Sequence, residues 1–314
     1  MAATTPTPAQ VVDSMEAMAG GTHPGYRRSG ARGSHFRGTF TPTGDAAAWT
    51  IAAHLSGSPV PAAVRFSNSD GNPTAADNVP VARGLAVRFA PPGGDTDLVA
   101  LSVPRFVAST PQEFLELTQV LRPERATGAP DGAKLQAWAA EHPHLADVLG
   151  QRPPIPASYA TTAFWAIHAF IWVDADGRRQ PVRYRWEPEA GRADLTDDAA
   201  ATKTRDYLTA ELRRRLRAGP VAFTLQVQLG EDDDPTHDPT LEWPPERKDV
   251  TAGRLEIVAP VDDPRRWDAQ AFNPARLVPG VELSDDPVLA FRGRAYLESL
   301  RRRSTGDEST SVVW

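Results

Sequence analysis

Thirty prolines and 23 glycines punctuate this 314-residue chain, and their spread limits the fold more than any other feature. Proline cannot sit inside a helix or a central strand, so short strands joined by loops are favoured over long helices. The runs between these breaks agree. Residues 8–19 read as one short helix ending at Gly20-Gly21. Residues 36–40, 63–67, 82–89 and 98–103 read as short β-runs bounded by Gly, Pro, Asn and Asp. A helix is predicted over 110–121, with Thr110 as N-cap, Pro111 in its first turn and Glu113 completing a capping-box-like start. Residues 133–149 read as helical with an interruption at Pro143. Strands then resume at 162–174, 182–186, 221–229 and 253–257, and 200–217 is a basic amphipathic helix. Strands, then helices, then strands again predict an α+β fold with an antiparallel sheet or barrel. The length admits two domains, but no stretch reads as a linker. The expected organisation is an N-terminal arm over 1–25 and a single domain over 26–314.

Composition narrows the chemistry. A hydrophobic fraction of 40% supports a packed core, and 34 Lys plus Arg against 40 Asp plus Glu leave a net charge of −6. That balance argues against a dedicated nucleic-acid binder, and the basic helix lacks the interleaved aromatics of one. The acidic stretch 231–234 reads as a solvated loop rather than a calcium site. The first residues show no basic and apolar leader, and no window holds 18 uninterrupted apolar residues. A cytoplasmic protein that does not span a membrane is therefore expected. P-loop, GxGxxG, GxSxG and HExxH patterns are absent from the sequence. Cysteine is absent too, which excludes disulfides, zinc-thiolate sites, iron–sulfur clusters, cysteine nucleophiles and thiolate-ligated haem. Metal chemistry must then run on His, Asp, Glu or Tyr.

One segment carries a strong signal. Asp286 is placed to cap, and Pro287 to open, a helix over 288–303. At 100° per residue Arg292, Tyr296 and Arg303 fall within about 40° of one another, on a face about 16 Å long. By itself this pattern also suits a solvated face. A phenol is a poor metal ligand at neutral pH, but a guanidinium hydrogen-bonded to its oxygen favours the phenolate. With cysteine gone, tyrosinate is the strongest anionic candidate for an iron ligand.

At this point the chain resembles the haem catalase superfamily, most closely its small catalase-related peroxidase branch. The resemblance rests on His23 through Arg27-Arg28, Gly38-Thr39-Phe40, Val64-Arg65-Phe66-Ser67, the run from Ala82 to Phe89, Asp97-Leu98-Val99, His168-Ala169-Phe170, the stretch from Asn273 to Gly280, and Arg292-x-x-x-Tyr296. It implies an antiparallel β-barrel core with surrounding helices and a haem b buried inside. Tyr296 then matches the iron ligand and Arg292 its partner, while Arg27, Arg65 and Arg303 match the arginines that pair the haem carboxylates. Phe106 and Phe114 match residues lining the distal side of the haem. A homodimer is implied as well.

The distal side departs from the family. The usual Arg-x-x-His-Ala-Lys-Gly reads here from Arg27 to Gly33, and the histidine position holds Gly30. That histidine moves a proton between the two oxygens of a peroxide, and positioned acid–base groups contribute typically 10²–10⁴-fold. His35 is a poor replacement: five residues along an extended strand puts it about 17 Å away and on the other face. It reads as a surface or interface histidine. An asparagine usual in larger catalases is replaced by Ser102, a weak hydrogen-bond donor, and Ser67 has lost the histidine it would orient. His168 reads as a core or supporting histidine on a strand face with Phe164, Ala166 and Phe170. The expected function is a haem peroxidase using hydrogen peroxide or an organic hydroperoxide with a small organic donor, and weak as a catalase. A biosynthetic haem enzyme that rearranges or dehydrates its substrate or oxidises nitrogen, and a non-catalytic haem binder, are the alternatives.

Overall fold

The computed structural model describes residues 5–304. Its strands are β1 (Gly33–Pro42), β2 (Val60–Asn68), β3 (Arg83–Phe89), β4 (Thr96–Leu101), β5 (Ile155–Pro156), β6 (Phe164–Trp165), β7 (Phe170–Val173), β8 (Arg179–Pro188), β9 (Asp194–Leu195), β10 (Val221–Leu229), β11 (Asp249–Pro260) and β12 (Val281–Leu283). Its helices are α1 (Pro8–Met18), α2 (Pro111–Val120), α3 (Gly132–Glu141), α4 (Ala146–Leu149), α5 (Asp197–Ala201), α6 (Tyr207–Ala218), α7 (Pro264–Asp268) and α8 (Pro287–Ser304). Among the described residues eight strands close an antiparallel barrel in the order β10-β11-β1-β2-β3-β4-β6-β8, with β8 pairing back to β10. The β7 and β12 strands extend the wall beyond β8.

Alternation along the strands decides which side chains fill the barrel. Phe36, Phe40, Phe66, Phe89, Phe164, Trp186 and Phe223 point inward and are fully buried. Several of their rings pack edge to face, as in Phe40 with Phe89 at 5.0 Å and Phe36 with Phe66 at 5.9 Å, while Phe89 stacks on Trp186 at 6.4 Å. The lumen is therefore a packed core, and this refines the sequence expectation of a haem inside the barrel. The polar neighbours His35 and Arg65, paired across β1 and β2, lie on the outer face of the wall instead. The α7 helix packs on β1, and α1 and α2 brace α8 through Val11, Leu115 and Phe291.

Three sequence expectations change. The strand over 162–174 is two strands, β6 and β7, and His168 sits in the break between them. The helix over 200–217 is also two, because the Arg205 carbonyl accepts from the Asp77 N–H (2.7 Å) and from Arg32 Nη2 instead of continuing a helical ladder. The acidic loop 231–234 is not simply solvated: Arg247 pairs with Glu231, Asp233 and the buried Asp234. Other starts follow the sequence. Thr110 Oγ1 caps α2 by accepting from the Glu113 N–H, while the Glu113 carboxylate reaches back to Ser109. Among the described residues no helix is long and apolar enough to cross a membrane.

Candidate functional site

The first turn of α8 organises one side of the site. Asp286 Oδ1 accepts from the N–H groups of Val288 (2.8 Å) and Leu289 (3.1 Å), so the carboxylate caps the helix as its position predicts. Its other oxygen is used as well. Asp286 Oδ2 lies 2.6 Å from His168 Nδ1, with both side chains buried. His168 Nε2 in turn lies 2.7 Å from Arg292 Nη1, and Arg292 Nη2 donates to Tyr296 Oη at 2.6 Å. Arginine has no acceptor, so His168 Nε2 must accept and Nδ1 must carry the proton given to Asp286. Burial pushes His168 down to about 4, against the opposing Asp286 hydrogen bond, and the imidazole is neutral at pH 7. Carboxylate, imidazole, guanidinium and phenol thus form one unbroken chain. Sequence reasoning found Arg292 and Tyr296 from helical spacing. It took Asp286 only as a cap and His168 as part of a strand face.

Phe106 and Phe114 stack at 5.4 Å, and Phe106 lies 5.9 Å from both the His168 ring and the Arg292 guanidinium. The aromatic pair expected on the distal side thus packs against His168 and Arg292, with Tyr296's partners rather than with Gly30.

The three predicted arginines gather on the outer barrel wall. Arg27 donates to Asp268 Oδ1 (2.9 Å) and to the Gln270 carbonyl (2.8 Å), and Arg303 donates to the same carbonyl (2.8 Å). Arg65 Nη2 donates to the Gly30 carbonyl at 2.6 Å, and its Nε is buried without an acceptor. Among the described residues Asp268 is the one carboxylate bonded to any of the three. Burial, then repulsion from Arg27, pushes Arg65 well below its ordinary value and Arg303 down to about 9. Burial works to raise the Asp268 carboxyl, but the His35 hydrogen bond and the Arg27 charge hold it well below the usual range. Sequence reasoning missed Asp268, which no period or motif marks.

His35 is not the surface residue expected. Its side chain is 2% exposed, its Nε2 lies 2.9 Å from Asp268 Oδ1, and its ring sits between Trp267 and Phe272. The extended-strand premise behind that separation does not hold, because β1 begins at Gly33. Arg65, directly opposite His35, reaches back to Gly30. The His35 ring is engaged by Asp268.

Gly30 itself has φ +60°, and a Cβ there would lie 2.9 Å from Ser67 Oγ and 3.3 Å from the Asn68 carbonyl. A left-handed backbone costs L-residues roughly 1–2 kcal/mol. The loop therefore takes glycine for conformational and steric reasons together. Ser67 stands beside the position, as the sequence comparison expects. Ser102 Oγ accepts from the Arg83 N–H at 2.8 Å, at the end of the β3–β4 ladder.

Comparison with known proteins places this geometry. Residues 20–312 match the family model for catalase. The chain is 40% identical over 311 residues to a catalase-related peroxidase of Mycolicibacterium paratuberculosis, covering 98% of this chain and 97% of the relative. It is 32% identical to a catalase-related peroxidase of Synechococcus elongatus, covering 97% and 91% of the two chains. Its fold matches a solved bacterial catalase with a TM-score of 0.82 at 24% identity, over 88% of this chain and 57% of that one.

Proposed function

The chain belongs to the catalase family, and from that premise we infer that it is a haem-dependent peroxidase. It uses hydrogen peroxide or an organic hydroperoxide, oxidises a small organic donor, and is weak as a catalase. The residues present fit a haem. Three guanidinium charges share one carboxylate, and a buried excess of like charge is unfavourable until it is paired. Two further carboxylates, as a haem carries, bring the cluster to neutrality, and the orphaned Arg65 Nε offers one of them a hydrogen bond. With no cysteine for a thioether link, non-covalent haem b is the form these residues suit. Bound there, the iron supplies the redox chemistry that splits the O–O bond of a peroxide.

The chain's own residues set the terms of that chemistry. Tyr296 is the residue that would hold the iron in this reading. Asp286 fixes the His168 tautomer, His168 fixes the Arg292 fork, and Arg292 holds its guanidinium donor at the phenol oxygen. The Arg292–Tyr296 contact at 2.6 Å carries the proposal. On the other side, reducing a peroxide to an alcohol and water needs two protons, and Gly30 offers no group to move them. Ser67 supplies a hydroxyl only, so solvent or substrate must carry protons that a base would otherwise transfer.

Haem titration of the wild type and Tyr296→Phe tests the assignment. The wild type should bind one equivalent with a tyrosinate-type spectrum, and the variant should lose both. A variant that keeps the haem and the same spectrum refutes Tyr296 as the ligand.

A further inference from the structure

A peroxidase must draw electrons from its donor, and one group outside the Gly30 region is placed to do so. Among the described residues Trp49, Trp165 and Trp267 are partly exposed, the other tryptophans being buried. Two of the three lie under cations. Lys248 Nζ is 4.7 Å from the Trp49 ring, and the Arg192 guanidinium is 5.2 Å from Trp165. A cation over an indole favours the neutral ring and opposes the positive charge left when the ring loses an electron. No Lys or Arg lies over Trp267 among the described residues. Its inner face meets the His35 imidazole, centroids 6.5 Å apart and planes 28° apart. Its chain neighbour Asp268 presents a half-exposed carboxylate, which favours a positive charge nearby. His35 stacks on Phe272 at 6.2 Å on its other side and faces Arg65 across the β1–β2 ladder. The His35 ring thus lies between the Trp267 indole and Arg65, while Arg27 donates to the Trp267 carbonyl at 3.3 Å, so the residue touches the arginine cluster directly.

We propose that Trp267 is the site at which aromatic donors too large for the Gly30 region are oxidised, with His35 positioning the indole against the arginines that hold the haem carboxylates. The proposal rests on the haem peroxidase reading above. For each hydroperoxide ROOH, two donors AH each lose one electron and one proton. The electrons pass singly through Trp267, and with the two protons they convert ROOH to ROH and water. Trp267 is oxidised by one electron and reduced again by the donor, so it is unchanged over the cycle.

The test uses the haem-loaded protein with hydrogen peroxide and no donor, followed by peptide mass spectrometry. Oxygen adducts should accumulate on Trp267 about ten-fold over Trp49 and Trp165. They should fall when a bulky phenolic dye is added and be absent in haem-free protein. Trp267→Phe keeps a ring on His35. It should lower kcat/KM for the dye about ten-fold, with a much smaller change for unsubstituted phenol and no change in the haem spectrum. Equal adducts on the three tryptophans, or wild-type dye oxidation in the variant, overturns the proposal while normal phenol oxidation leaves the peroxidase reading standing. A haem-loaded protein that shows no spectral response to any peroxide overturns both.

Discussion

Around Tyr296 each polar side chain hands its hydrogen bond to the next, from the Asp286 cap through His168 and Arg292 to the phenol, in steps of 2.6–2.7 Å. Around Gly30 the backbone sits in the left-handed region, the nearest side-chain oxygen belongs to Ser67, and the one nearby imidazole is turned to Asp268. The two regions differ in what they can do with a proton. The first holds polar and charged groups in fixed places up to the phenol oxygen. The second offers space without a base. Retention of a cofactor and transfer of protons are therefore separable in this protein, and each can be disturbed without the other.

The largest disturbance is expected at Asp286. Asp286→Ala removes two helix-capping acceptors and the partner of a buried histidine at once, and should cost about 3–5 kcal/mol in urea denaturation. Asp286→Asn keeps an N-cap side chain and should cost clearly less while still loosening haem. Equal losses in the two variants would mean that the carboxylate charge contributes nothing beyond the cap.

The pH dependence comes next. His168 is pushed down to about 4 by burial, from an ordinary value near 6.5. Between those values the unfolded chain binds a proton that the folded protein does not. Stability therefore falls as pH falls from about 6.5 to about 4, by up to about 3 kcal/mol from this group. His54, pushed to about 3 by burial, acts in the same sense. His168→Gln should flatten the acid limb of the stability curve by His168's part alone, and an unchanged limb would contradict the buried neutral imidazole.

The smallest effect on stability is expected at Gly30. Gly30→Ala should cost about 1–2 kcal/mol from the left-handed backbone, with added crowding at Ser67 Oγ. Gly30→His carries the same strain and should not create an efficient catalase. A gain of about 10²-fold in oxygen evolution would show that the loop relaxes to admit a distal base.

Much of the Tyr296 side was readable in the sequence because a helix converts spacing into direction: four residues separate Arg292 and Tyr296, and one turn brings them together. Arg27 and Arg65 were readable only through family motifs, while Arg303 shares the helical face of Arg292 and Tyr296. The barrel was readable through the same motifs, but its register was not, since β1 pairs with β11 near the other end of the chain. The alternation around His168 suggested an unbroken strand, but the pull of Asp286 and Arg292 turns that residue out of the ladder. The α5–α6 break has a similar origin in Asp77, more than a hundred residues away. His35 was misread because strand geometry was extended to Gly30, where the chain bends.

Oxygen evolution from hydrogen peroxide, measured beside phenol oxidation driven by cumene hydroperoxide in the same haem-loaded sample, tests the contrast between the two sides most directly. Fast phenol oxidation with slow oxygen evolution is the predicted result. Rapid oxygen evolution from hydrogen peroxide alone would contradict it, because an efficient proton-transfer group would then have to serve the Gly30 side.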